Sequence, residues 1–139
     1  MKGFIRFLKL DFIPFSADCG LLALRLWLGI SLLCLHGWAK LSTFSTMSSK
    51  FSDPLGIGHA PSLALATFAE VVCAIFIILG LFTRLASLGL IINMGVAFAL
   101  VHKFAWKGPA SGELAWIYLG GFFALLLAGA GRYSIDSNI

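Results

Sequence analysis

Apolar residues dominate four blocks of the chain, approximately Cys19–Leu41, Pro61–Phe82, Leu85–Lys103 and Leu114–Ala130, and polar residues collect between them. Each block is near the ~20 residues that carry an α-helix across a ~30 Å hydrocarbon layer at ~1.5 Å per residue. So few segments cannot close a barrel, and lipid offers no partner to an open sheet edge. The pattern therefore predicts an all-α fold, a four-helix transmembrane bundle that makes one domain of residues 1–139. Ser42–Ala60 is a long connection rich in Ser, Thr, Gly and Pro, whereas Thr83–Arg84 reads as a tight turn and Phe104–Glu113 is broken by Gly108, Pro109 and Gly112. A turn that short makes the second and third helices an antiparallel hairpin.

Ahead of the first block, Lys2, Arg6 and Lys9 recur at helical spacing while Phe4, Ile5, Phe7, Leu8 and Phe12 cover the other faces. This predicts a short N-terminal amphipathic helix lying in the membrane interface and ended by Pro14. The block that follows has full spanning length and no small-residue cleavage site, which disfavours a signal peptide.

Composition agrees with the pattern: 60% hydrophobic and 12% charged residues, with a mean hydropathy of +0.98, lie outside the range of soluble domains. The net charge of +4 is divided between two ends, with Lys2, Arg6, Lys9, Arg84 and Arg132 at one and Lys40, Lys50, Lys103 and Lys107 at the other. A divided charge makes no nucleic-acid surface. The basic cluster before the first span predicts cytoplasmic N- and C-termini.

Chemistry in such a protein is expected where ionisable residues fall inside the spans, because a charge at mid-bilayer costs at least ~2.5–3.5 kcal/mol. Arg25, His36 and Lys40 recur every three or four residues on the first helix, so its polar residues share one inward face. Glu70 sits in the second helix beside Ala66, Cys73 and Ala74, and Asn93 in the middle of the third. Helical rise places Arg25 about 10 Å from the cytoplasmic side, and Glu70 about 12 Å and His36 about 7 Å from the outer one. The expectation is an Arg25–Glu70 ion pair, completed by the Asn93 amide, in a cavity that His36 reaches from its wet end. Whether that pair serves a ligand or only the register of two helices stays open at this level.

At the outer boundary, His36, His59, His102 and Glu113 come together, but no pair has local metal-site spacing and they read as snorkelling polar residues, with no metal assigned. Trp38, Trp106, Trp116 and Tyr118 read as an aromatic belt. Cys19, Cys34 and Cys73 show no C-x-x-C spacing and read as small apolar residues. Gly121, Ala124 and Ala128, with Gly120, give the last helix a small-residue stripe suited to packing within the chain or against another copy in a homo-oligomer.

These residues carry a resemblance. Arg25, His36-Gly37, Lys40, Asp53-Pro54-Leu55-Gly56-Ile57-Gly58, Phe68-Ala69-Glu70, Gly80-Leu81-Phe82-Thr83-Arg84-Leu85-Ala86, Glu113-Leu114-Ala115 and Gly131-Arg132-Tyr133-Ser134-Ile135-Asp136 follow in order the pattern of the DoxX family of small bacterial four-helix membrane proteins. Ala130 departs from the proline that often stands before the closing motif. The resemblance implies a bacterial inner membrane and adds Arg25, His36, Lys40, Glu70, Arg84 and Glu113 as candidate functional positions. It also implies association with quinone-linked redox complexes, without supplying a catalytic mechanism.

Two functional readings follow. In one, the chain is an accessory subunit of a membrane redox complex whose polar cavity receives a quinone headgroup while partner subunits handle electrons, no electron carrier being evident in this chain. In the other it is a non-catalytic scaffold or assembly factor whose buried ion pair is structural. A transporter ranks below both, because the cytoplasmic halves of the last three helices offer almost no polar lining.

Overall fold

A computed structural model describes all 139 residues, and every regular element in it is helical. In chain order these are α1 (Lys2–Leu8), α2 (Ala17–Ser42), α3 (Phe44–Met47), α4 (His59–Leu79), α5 (Thr83–Val101) and α6 (Glu113–Ala128), followed by a 3-10 turn at Asp136–Asn138. Helices α2, α4 and α5 are long and apolar enough to cross a membrane, and α6 is a shorter apolar helix. One core unites the four, with Leu32 from α2, Ile77 from α4, Leu90 from α5 and Phe122 from α6 all buried.

Local chemistry sets the boundaries, which differ by a few residues from those the hydropathy pattern predicts. Ser16 caps α2 by accepting the Cys19 N–H at 3.1 Å, so the helix starts before Cys19. Gly80 ends α4 in the left-handed region (φ 66°), with Gly80 N–H donating to Ile77 O and Leu81 N–H to Phe76 O, a Schellman turn. The reversal is therefore Gly80–Phe82, and Thr83 and Arg84, expected as the turn, already belong to α5. Gly129, at φ 79°, stops α6 at Ala128. The N-terminal helix forms but spans only Lys2–Leu8, well short of Pro14, and all of it is exposed.

Close packing of α2 on α4 depends on two glycines two turns apart on one face of α2. A β-carbon at Gly29 would stand 2.6 Å from Ile78 Cγ1, and one at Gly37 would run into the Glu70 carbonyl. These contacts fix the antiparallel register: Gly37 lies level with Glu70, and Arg25 level with Gly80. On α6, Gly121 lies against Leu28, so that part of the small-residue stripe packs within the chain, while Gly120 faces open space.

Three stretches, Leu33–Gly37, Ala69–Cys73 and Ala97–Val101, widen locally into π-turns. The first two contain His36 and Glu70 and pack against each other. Single-turn π-bulges are rare and often accompany functional sites, because they rotate side chains out of the regular helical register.

Candidate functional site

Glu70 is buried, and both oxygens of its carboxylate are engaged. Lys40 Nζ donates to Oε2 at 2.5 Å and Asn93 Nδ2 to Oε1 at 3.2 Å. One carboxylate thus ties α2, α4 and α5 together. The charges satisfy one another away from water, the condition under which a buried pair is tolerable.

The expected Arg25–Glu70 pair does not form. Gly37, and not Arg25, lies level with Glu70, and the step of twelve positions from Gly37 back to Arg25 puts Arg25 about 18 Å down the α2 axis. Helical side chains also lean toward the N-terminus of their helix, which carries Arg25 away from Glu70 and Lys40 toward it. Arg25 instead serves the opposite end of the bundle. Its Nη1 donates to Ala130 O at 2.7 Å, and its Nη2 to Tyr133 O at 2.9 Å and Ile78 O at 3.4 Å. Carbonyls near the C-terminal ends of α4 and α6 therefore surround a guanidinium, the end of a helix where a cation is favoured.

Asp136 completes this second cluster, a role to which no pattern in the sequence points. Its carboxylate accepts the Phe82 N–H at 2.7 Å and the Thr83 N–H at 2.9 Å, capping α5 from the C-terminal tail. Partial burial pushes its pKa up, but these backbone donors and the charge of Arg25 outweigh it and hold the carboxyl below its ordinary value. Asp18 accepts the Arg132 N–H at 2.9 Å, so the start of α2, the α4–α5 turn and the tail all meet at one end.

Above the Glu70 cluster lies a cavity of about 640 Å³. Its inner end is polar, formed by His36, Lys40, Glu70, Asn93 and Tyr118, its walls are apolar residues of α2, α4, α5 and α6, and Ser52, Ser62, His102 and Ser111 add polar groups at its outer side. Cys73, one helical turn below Glu70, also lines it. His36 meets the Tyr118 ring edge-on at 6.1 Å between centroids. Tyr118, expected in the outer aromatic belt, is 6% exposed and belongs to the core. Trp106 and Trp116 pack on each other and on Phe98 and, like Trp38, remain exposed.

The connection from α3 to α4 covers the cavity with Phe51, Pro54, Leu55 and Ile57. Asp53 gives this stretch its shape by accepting the N–H groups of Ile57 and Gly58 and the hydroxyl of Ser62, each near 3.0 Å. Desolvation raises the Asp53 pKa, but those hydrogen bonds and nearby His59 carry the net shift downward. The Asp53–Gly58 motif was legible in the sequence, whereas its place as a roof was not.

The remaining expected residues lie elsewhere. Arg84 donates from Nε to Leu126 O at 2.9 Å and stays exposed, and Glu113 is exposed at the start of α6. His59 and His102 engage the backbone carbonyls of Phe51 and Ala110 at 2.6 Å and 2.9 Å. No three His, Cys, Asp or Glu side chains converge in a metal-binding group.

The DoxX family profile matches residues 20–103, a stretch that holds Arg25, His36, Lys40, Glu70 and Asn93. The chain belongs to the DoxX family. An uncharacterized protein of Haemophilus influenzae is 34% identical over 110 residues, covering 75% of this chain and 79% of that one. No solved structure matches. With apolar helices of spanning length, this DoxX chain is an integral membrane protein.

Proposed function

We propose that this DoxX protein is an accessory membrane subunit of a quinone-linked redox complex, and that its cavity receives the quinone headgroup. The observation that carries the reading is a cavity of about 640 Å³ with apolar walls and a polar inner end. Quinone carbonyls accept hydrogen bonds, and the Lys40 ammonium, the Asn93 amide and the rings of His36 and Tyr118 stand where such acceptors would lie. A quinone held there by Lys40, Asn93, His36 and Tyr118 would supply two-electron, two-proton chemistry. The residues of this chain orient the ring and exclude water from it.

In this reading α6 also crosses the bilayer, α1 rests on the headgroups through Lys2, Arg6 and Lys9, and both termini lie on the cytoplasmic side of a bacterial inner membrane. The supporting feature is the shared position of the α2 start, the α4–α5 turn and the tail, which gathers Arg84 and Arg132 at the same end as the basic N-terminal segment. Quinone-analogue binding to the purified full chain, wild type beside Glu70→Gln and Lys40→Met, tests the redox reading. Binding that is lost in either variant supports it, and a wild-type protein that binds no analogue sinks it.

A second reading, a non-catalytic scaffold or assembly factor, draws on the bridge that Lys40, Glu70 and Asn93 make between three helices. It predicts that the same variants lower thermal stability and partner recovery without changing binding of any ligand.

A further inference from the structure

The rim of the cavity is apolar and turned outward. Phe68 of α4 and Ile92 of α5 both line the cavity, yet they are 57% and 59% exposed, and Leu65 beside them is 58% exposed. Below this rim the two helices close, with Asn93 reaching Glu70 and Gly89 lying under Cys73. The outer surface of a spanning helix pair is lipid, so an apolar gap there opens sideways into the bilayer. On the water side the roof segment lies across the cavity.

Size and charge narrow what can enter. At about 30 Å³ per water-sized group, the cavity holds roughly twenty non-hydrogen atoms, enough for a ring headgroup and a short stub of chain. A longer tail has to remain outside. The polar end is neutral in sum, because the Lys40 ammonium is matched by the Glu70 carboxylate and Arg25 is committed to the far end of the bundle. A phosphate head would meet a carboxylate or have to break the ion pair, whereas an uncharged head accepting hydrogen bonds meets neither cost.

From this geometry we infer that the seam between α4 and α5 is a lateral portal, through which the cavity takes an uncharged-headed, single-tailed amphiphile directly from the bilayer and leaves its tail in lipid. The inference rests on the ligand-binding reading of the cavity, but it can fail separately. Cys73 is the natural reporter, since it lines the cavity whereas Cys19 and Cys34 are exposed.

In a Cys19→Ser, Cys34→Ser background reconstituted in lipid nanodiscs, labelling of Cys73 is timed with N-dodecylmaleimide and with a sulfonated, water-confined maleimide. The lipid-dissolved reagent is expected to react at least about tenfold faster, since its alkyl chain concentrates it in the bilayer. Ile92→Trp should slow that reaction and Phe68→Ala speed it, while Leu85→Trp, on an exposed position away from the cavity, leaves it unchanged. Equal rates from water and lipid, no labelling by either reagent, or rim variants that behave like Leu85→Trp would overturn the portal. A decyl-tailed quinone that protects Cys73 supports both readings. Labelling from lipid without that protection leaves the portal standing and removes the quinone.

Discussion

The α-carbon of Gly37 rests on the carbonyl of Glu70, so close that a β-carbon would stand 2.8 Å from the carbonyl carbon. That contact sets the height of α2 against α4 and brings Lys40 within reach of the carboxylate. Gly37→Ala forces the backbones apart, because the obstructing atoms belong to a peptide group that cannot rotate away. Overpacking of this kind costs about 1–3 kcal/mol. Thermal unfolding in mild detergent should show the loss. Gly29→Ala, which meets mainly the flexible end of Ile78, should cost less, and equal losses at the two sites would contradict the argument.

The Lys40–Glu70 pair predicts a strongly non-additive mutant cycle. Lys40→Met or Glu70→Gln alone leaves a buried partner uncompensated, a loss of about 3–5 kcal/mol for the intact charge. The double variant removes both and should recover much of that stability. Unfolding free energies that simply add would show that the two side chains do not form a pair in the membrane.

Arg25 predicts a different phenotype, because its partners are the carbonyls of Ala130, Tyr133 and Ile78. Arg25→Leu orphans those acceptors, at about 1–3 kcal/mol for a buried unsatisfied group. The tail should come loose first. Hydrogen exchange at residues 131–139 is expected to rise sharply while exchange around Glu70 stays protected, and a parallel rise at both places would refute the separation of the two clusters.

Asp136 gives the fold an acid-sensitive clasp. Its carboxyl is held below the ordinary value in the folded chain, so the charged form stabilises the fold above the unfolded pKa of about 4. That contribution is lost as pH falls through the lowered folded value. Asp136→Ala should cost about 1 kcal/mol at neutral pH, as other helix caps do. The variant should also lose less stability than wild type on acidification below about pH 4. Identical acid limbs in a pH series of melting curves would remove Asp136 from this role.

Much of the architecture followed from the pattern of residues alone. Long apolar runs can satisfy their backbone only as helices in lipid, and a charge inside such a run must turn away from it. Those two constraints give the helices, and they turn Arg25, His36, Lys40, Glu70 and Asn93 inward without any knowledge of neighbours. Which inward residue meets which was decided only by the packing of α2 on α4. The two glycines set that register at atomic contact, whereas a hydrophobic pattern repeats every few residues and is satisfied by several offsets. For this reason Lys40, and not Arg25, holds Glu70. The roof over the cavity and the clasp of Asp136 lie further still from sequence reading, since each joins segments distant along the chain whose meeting depends on where all the helices have already been placed.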